Sequence, residues 1–193
     1  MPRRTKCIGV IGPTNTTLIE SEVGLFEGLL ERKAAQMGAW LAEHSFGLSC
    51  VPAAGVGLMV LESYKSAGGD ASLALSPRPS GEGGTPSDLV RRNASIADEI
   101  REDLTWEQQP FELARTCDYL VAIGLSCGTI IEMTVTKWLQ GPPILVVSSL
   151  ITCIPEEVLA EIRVKFFDDI EALQDALLKE VGPLPGSRTG LPG

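Results

Sequence analysis

Short apolar runs alternate along this chain with longer runs of helical periodicity. We predict strands at 6–12, 48–53, 71–76, 118–124 and 142–149. Helices are predicted at 31–47, 58–69, 110–117 and 128–141, and the segment 166–181 reads as a short strand that leads into a last helix. Such alternation is typical of a parallel sheet covered on both faces. The fold class predicted is therefore α/β, a Rossmann-like three-layer α/β/α sandwich with a mainly parallel sheet.

The length of 193 residues and a hydrophobic content of 44% suit one domain with a substantial core. We place that domain at 6–182 and expect the Pro/Gly-rich end, 183–193, to be a flexible tail. The segment 76–93 is rich in Pro, Gly and Ser. It is predicted to be a surface loop that covers the site.

The formal net charge of -9 argues against binding to nucleic acid or to anionic membranes, because both need a basic field. A small ligand or a protein partner is favoured instead. The 5 cysteines include no C-x-x-C pair, and their odd number suits a reducing compartment. No apolar run is long enough to span a membrane, and the first residues lack a signal-peptide core, so we predict a cytoplasmic protein.

Glycine turns follow three of the predicted strands. In a parallel sheet, such turns meet at the carboxyl edge, where they let the backbone approach a ligand and where helix N-termini offer free N–H groups to anions. Each turn alone has a bland explanation, since tight strand-to-helix connections need glycine anyway. Their convergence on one edge predicts an anion site there; the glycines are Gly9, Gly12, Gly55, Gly57, Gly124 and Gly128.

The stretch "YLVAIGLSCGTIIE" allows two interpretations of Ser126. As a G-x-S-x-G elbow it would make Ser126 a nucleophile. The sole histidine, His44, precedes that serine, which argues against the usual triad and leaves a dyad with Asp168 or Asp169. We favour Ser126 as a hydroxyl that lines an anion site.

Thr129 and Glu132 form the pattern T-x-x-E, which predicts a capping box at a helix start. A glutamate held there beside a bound sugar is also suited to act as a general acid or base. Trp106 lies in a polar stretch, where it either stacks on a base or packs half-buried. Arg91 and Arg92 are either solvated charges or phosphate contacts.

Three motifs together give a resemblance: "IGVIG" at 8–12, "GVGLM" at 55–59, and G-T-x-x-E at Gly128, Thr129 and Glu132. The chain resembles the LOG-like proteins, a group once labelled "possible lysine decarboxylase". That group includes cytokinin-activating phosphoribohydrolases and molybdenum cofactor carrier proteins. The resemblance runs from about residue 6 to 181, interrupted by extra segments around 14–28 and 80–105.

Enzymes of that family carry P-G-G-x-G-T-x-x-E and split the N-glycosidic bond of a nucleoside monophosphate with that glutamate and an arginine on the preceding helix. Here Gly124, Leu125 and Ser126 stand in place of P-G-G, and the arginine position falls on Gln109. The resemblance therefore implies a carrier or sensor of a phosphorylated, nucleotide-like ligand. A phosphoribohydrolase in which a loop arginine or Arg115 supplies the charge is the alternative, and a serine esterase is the third.

The predicted phosphate site uses backbone N–H groups near Gly12, Gly57 and Gly128. Glu132 addresses the ribose and is the catalytic residue if the protein is an enzyme. The full predicted ligand site is Gly12, Pro13, Gly55, Gly57, Met59, Arg92, Ser126, Gly128, Thr129 and Glu132. No metal and no required cofactor is predicted, and a nucleotide or a molybdopterin-type molecule is the expected ligand. The resemblance also implies a homodimer or a higher homo-oligomer, packed through the helix that carries Trp138.

Overall fold

A seven-stranded sheet with the order β4-β3-β2-β1-β5-β6-β7 forms the centre of the protein, and every pair of neighbouring strands is parallel. The computed structural model describes residues 5–79 and 87–181. Within these residues the strands are β1 Cys7–Ile11, β2 Gly47–Cys50, β3 Ser72–Leu75, β4 Glu99–Arg101, β5 Tyr119–Ala122, β6 Ile144–Val147 and β7 Val164–Phe167.

Helices cover both faces of this sheet. They are α1 Thr16–Val23, α2 Leu29–Glu43, α3 Gly55–Ser66, α4 Asp88–Ala94, α5 Gln109–Thr116, α6 Cys127–Leu139, α7 Glu156–Leu159 and α8 Ile170–Val181. One apolar cluster joins α2, α3 and α8 to the sheet, and a second joins α5 and α6 to its other face. The predicted three-layer α/β/α arrangement with a parallel sheet is confirmed.

Strand β5 shows how the sequence builds the two layers. Leu120 and Ala122 belong to the cluster with α5 and α6, whereas Val121 and Ile123 belong to the cluster with α2, α3 and α8. Successive side chains of a strand point to opposite faces. Because both faces are covered by helices, all of these residues are apolar and buried.

The segment predicted as a loop at 76–93 is partly helical, so that prediction is wrong over its second half. Helix α4 begins at Asp88, and the Ser87 side chain caps it by accepting a hydrogen bond from the Val90 N–H at 3.3 Å. Residues 80–86 of the predicted loop and the predicted tail at 183–193 lie outside the described residues. Strand β4 and helices α1 and α7 were not predicted. Helix α1 begins after Asn15, whose Oδ1 accepts from the Leu18 N–H at 3.1 Å.

Helices α2 and α3 pack very closely, and Gly38 makes this contact. A Cβ at this position would lie 2.3 Å from the carbonyl oxygen of Val60 in α3, so only glycine fits. Helix α2 ends at Glu43 rather than at the predicted Gly47, which is the first residue of β2.

The strand order places the first strand beside the fifth. Ile8 pairs with Tyr119, and Val10 pairs with Val121. From β1 the chain builds β2, β3 and β4 on one side, then returns to place β5, β6 and β7 on the other. The helices that follow β1 and β5 diverge at such a switch point, and the carboxyl ends of the two strands border a crevice. No helix in the described part of the chain is long and apolar enough to cross a membrane.

Candidate functional site

A cleft of about 310 Å³ opens at the carboxyl ends of β1 and β5. Its walls come from the turn after β1, the first turns of α3 and α6, and the start of α5. The lining residues are Val10, Ile11, Gly12, Thr14, Val51, Gly57, Trp106, Gln109, Pro110, Ser126, Gly128, Ile131 and Glu132. This is the edge at which the sequence predicted a ligand site.

Two of the predicted glycines line this cleft and also allow close backbone packing. A Cβ on Gly12 would lie 2.4 Å from the carbonyl oxygen of Ile123, and one on Gly57 would lie 2.1 Å from that of Val51. Backbone atoms cannot move aside as a flexible side chain can, so neither position has room for a larger residue. Gly12 thus lets the ends of β1 and β5 meet, and Gly57 lets α3 start directly after β2.

The turn after β5 leads into α6, and Ser126 is the N-cap of that helix. Its Oγ accepts a hydrogen bond from the Thr129 N–H at 3.3 Å and lies 2.9 Å from the Thr129 hydroxyl. The predicted capping box is therefore wrong, because Ser126 takes the role assigned to Thr129 and Glu132 bonds elsewhere. The N–H groups of Cys127 and Gly128 have no acceptor inside the helix. A Cβ on Gly128 would meet only Ser126 Oγ, at 3.8 Å, so the space beside Gly128 is open.

Leu125 does not obstruct the cleft. Its half-buried side chain packs against the apolar cluster between the sheet and helices α5 and α6. Gly124, just before it, has a φ of +76°, and a Cβ there would lie 2.9 Å from Leu30 Cδ2. The turn therefore keeps the glycine that its backbone needs and directs its leucine away from the cleft.

Glu132 lies in the second turn of α6, and its carboxyl group contacts the first residue of α5. Gln109 Nε2 donates a hydrogen bond to Glu132 Oε1 at 3.0 Å. Both side chains line the cleft, and Gln109 is buried. The resemblance implies an arginine at the position of Gln109, and the structure places this residue beside the glutamate, but without a charge.

Burial raises the pKa of Glu132 from its ordinary value to about 7, and the hydrogen bond from Gln109 offsets part of that rise. The residues that line the cleft within 5–79 and 87–181 include no Lys, Arg or His. The carboxyl group therefore gains or loses its proton near neutral pH. A carboxylic acid of this kind is able to donate a proton or a hydrogen bond under physiological conditions.

Trp106 lies at the rim of the cleft, just before α5. Its side chain is 43% exposed and lines the cleft together with Pro110. This exposure is compatible with both interpretations that the sequence allowed, stacking on a base and half-buried packing. Thr14 and Ile131 also line the cleft and were not predicted; their sole sequence signal is that they lie close to Gly12 and Glu132.

Five of the predicted ligand residues do not line the cleft: Pro13, Gly55, Met59, Arg92 and Thr129. The Pro13 carbonyl accepts a hydrogen bond from the backbone of α3 at 3.1 Å, and Gly55 has a φ of +53°, so both shape the turns. Met59 packs against the core, Thr129 is buried under Ser126, and Arg92 is exposed at the end of α4. Ligand binding by these residues stays a prediction.

The arginines proposed as substitutes for the missing one lie elsewhere. Arg91 pairs with Glu102 at 3.4 Å. Arg115 lies in the last turn of α5, whereas the first residue of that helix is at the cleft. Since Arg91, Arg92 and Arg115 are all absent from the lining, the described residues give no replacement cation in the cleft.

The serine-esterase hypothesis gains no support from the position of its candidate bases. Asp169 Oδ1 accepts a hydrogen bond from the Ala172 N–H at 2.8 Å, as an N-cap of α8 does. Strand β7, which precedes Asp169, is separated from β5 by β6. Neither aspartate of the proposed dyad lines the cleft with Ser126, and His44 does not line it either.

The five cysteines, all within the described residues, are not joined in disulfides, and Cys7 Sγ lies 4.0 Å from Cys117 Sγ. Cys50 and Cys117 are buried in the core, whereas Cys127 and Cys153 are exposed. Across the part of the chain that the structure describes, no group of three or more His, Cys, Asp or Glu side chains is placed to hold a metal ion.

Comparison with known proteins gives a family and a set of similar structures. The family model described as LDcluster4, SLOG cluster4 family, matches residues 5–175. The molybdenum cofactor carrier protein MCP of Chlamydomonas reinhardtii superposes with a TM-score of 0.68 at 20% sequence identity, over 92% of this chain and 99% of that one. These matches confirm the resemblance to the LOG-like proteins.

Two further structures share the fold. The molybdenum cofactor binding protein of Rippkaea orientalis gives a TM-score of 0.66 at 16% identity, over 92% of this chain and 98% of that one. DNA processing protein A of Helicobacter pylori, described with a single-stranded DNA binding mode, gives 0.61 at 14% identity, over 91% and 81%. Curated protein sequences gave no significant match. At these identities the likeness concerns the fold.

Proposed function

The chain belongs to the SLOG cluster4 family, and from this premise we propose that it binds a phosphorylated, nucleotide-like small molecule as a carrier or sensor. The observation that carries this proposal is the convergence of Gly12, Gly57, Ser126 and Gly128 on one cleft. The carrier proteins among the similar structures support a ligand of molybdopterin type as one member of this class. The net charge of -9 disfavours a long polyanion such as DNA.

The first turn of α6 is the proposed phosphate site. The N–H groups of Cys127 and Gly128 have no acceptor within the helix, and the positive end of the helix dipole lies there. Helix α3 starts beside the same cleft, and its N-terminus has no side-chain cap. Two helix N-termini that meet at one cleft favour an anion, and a phosphate is the anion that such sites bind most often in α/β folds.

Trp106 is proposed to hold the planar ring of the ligand. Its exposed indole forms the rim of the cleft, and stacking of a base on an aromatic side chain contributes about 1–3 kcal/mol. Glu132 and Gln109 lie deeper and offer polar groups to the sugar or to the equivalent part of a pterin. No lining residue among those described carries a fixed positive charge, which favours retention of the ligand over its hydrolysis.

A thermal-shift screen tests the proposal. Nucleoside monophosphates, nucleotide sugars and a pterin phosphate are each added to the purified protein, and a ligand that binds only the folded state raises the melting temperature. We expect at least one of these compounds to give a clear shift. Trp106→Ala is expected to weaken its affinity about tenfold or more, whereas Trp106→Phe keeps most of it.

The same samples separate the carrier from the phosphoribohydrolase. The pKa of Glu132, about 7, is suited to a general acid and is the observation that favours the enzyme. If the protein releases free base from a bound nucleoside monophosphate and Glu132→Ala abolishes this release, the carrier hypothesis is wrong and the hydrolase hypothesis is right. If no phosphorylated compound changes the melting temperature, a phosphate-binding function is wrong.

We propose that the protein forms a homodimer through α6. Ile130, Ile131 and Trp138 lie on this helix with exposures of 37%, 53% and 75%, an apolar surface that water disfavours. Trp138→Glu is therefore expected to convert the dimer to a monomer in sedimentation velocity. Phe26→Glu is the matched control, because Phe26 is 82% exposed but lies between α1 and α2, so this substitution should leave the dimer intact. A monomeric wild-type protein at micromolar concentration would contradict this prediction.

A further inference from the structure

Glu132 and the first turn of α6 open into the same cleft of about 310 Å³. Gly128 and Glu132 are four residues apart on α6, so they are neighbours on one face of the helix with about 5–6 Å between their Cβ positions, and a phosphate held at Gly128 lies close to the carboxyl group. Two negative charges at this separation, partly shielded from water by the cleft walls, repel each other strongly. Either the carboxyl group or the ligand must therefore lose charge, or a cation must intervene.

No such cation faces the carboxyl group within the described residues. Gln109, from α5, is neutral. Cys50, on β2, is a buried thiol whose pKa burial holds far above its ordinary value, so it is neutral as well. The other polar lining residues, Thr14, Trp106 and Ser126, carry no charge. A phosphate monoester keeps at least one negative charge near neutral pH, so protonation of Glu132 is what remains to relieve the repulsion.

We infer that Glu132 binds the ligand in its protonated form, as a hydrogen-bond donor to an oxygen or a ring nitrogen of the ligand. Gln109 is the positioning residue: it donates to Oε1 and leaves the other oxygen, with its proton, to the cleft. The inference rests on the proposed function, because it requires a phosphorylated ligand in this cleft. It adds that binding takes up a proton from solvent when the free carboxyl group is ionised.

The pKa of Glu132 in the free protein, about 7, puts this proton uptake in an accessible range. If only the protonated form binds, the apparent dissociation constant rises once the pH exceeds that pKa. From about pH 6 to about pH 8.5 the affinity of the wild-type protein should fall about 30-fold. Ligands with an acceptor atom against Glu132 are selected, and ligands with only donors there are not.

Isothermal titration calorimetry with AMP and GMP across this pH range tests the inference. Glu132→Gln replaces the carboxyl group by an amide of nearly the same shape, which always has an N–H donor. This variant should bind the nucleotide as tightly as the wild type does at low pH, and its affinity should not fall at high pH because of residue 132. Titration of the ligand phosphate affects both proteins equally and cancels in the ratio of their dissociation constants.

Gln109→Met should move the fall in affinity to higher pH, since the hydrogen bond from Gln109 favours the ionised form of Glu132. Glu156→Gln, at an exposed carboxylate on α7, should keep the wild-type profile.

Three outcomes of this experiment would contradict the inference. Parallel profiles for the wild type and Glu132→Gln would overturn the inference and leave the proposed function intact. Loss of binding in Glu132→Gln at every pH would overturn it too, because the donor is still present there. If neither nucleotide binds the wild-type protein at any pH, the proposed nucleotide site fails for these probes and the inference fails with it.

Discussion

Alanine at Gly57 is expected to lower the free energy of unfolding by about 3 kcal/mol. The added Cβ would lie 2.1 Å from the Val51 carbonyl oxygen, a backbone atom at the end of β2 that cannot rotate away. The start of α3 must then move off the sheet, which separates buried side chains on that helix from the core. Urea unfolding followed by circular dichroism measures the loss.

Gly128→Ala is the matched substitution at the same edge of the sheet. Its Cβ would meet only Ser126 Oγ, at 3.8 Å, and Gly128 lies in the first turn of α6 without a positive φ. Alanine has a higher helix propensity than glycine by up to about 1 kcal/mol, so stability should stay equal or rise. Equal stability of Gly57→Ala and the wild type would show that the start of α3 does not approach β2 as closely as described.

Aspartate at Gly128 is expected to abolish binding of a phosphorylated ligand while the fold is retained. A carboxylate in the first turn of a helix is compatible with the helix dipole and often stabilises it slightly. A ligand phosphate about 4 Å away would be repelled by about 4 kcal/mol at a protein surface, which corresponds to a loss of affinity of about 1,000-fold. Calorimetry with the ligand found in the thermal-shift screen gives the affinity, and urea unfolding gives the stability.

Asparagine at the same position is the control, because it fills the same space without a charge. If the ligand places an anion at this turn, Gly128→Asp should bind at least tenfold more weakly than Gly128→Asn. Equal weakening by both variants would mean that the ligand is neutral there and that the phosphate lies elsewhere.

The main architecture was predictable because buried parallel strands have a strong sequence signal. The apolar runs around β1, β5 and β6 are hydrophobic on both faces, and the longer segments that form α2, α3, α6 and α8 show helical periodicity. Strand β4 has three residues, Glu99–Arg101, two of them charged, so nothing in its sequence suggested a strand. Helix α4 was missed because Pro and Gly dominate the residues before it.

The sequence predicted the position of the candidate site better than it predicted which residues line it. Gly12, Gly57 and Gly128 line the cleft as expected, and counting back along the motif placed Gln109 beside Glu132. Glycine patterns cannot separate contact with a ligand from contact with neighbouring backbone, which is why Gly55 was included although it does not line the cleft and its φ of +53° serves a turn. Trp106 had a detectable signal, an isolated aromatic residue in a polar stretch.

The pairing of β1 with β5 determines when the cleft exists during folding. The Cys7 N–H donates to Asp118 Oδ2 at 2.9 Å across 111 positions of the chain, and Lys6 Nζ lies 2.7 Å from the other oxygen of the same carboxylate. Closing so long a loop costs chain entropy before its contacts form, so such pairings are slow. A nascent chain that has emerged from the ribosome only as far as β4 holds one wall of the cleft. Competence to bind therefore arrives late, with the synthesis and docking of β5 and α6.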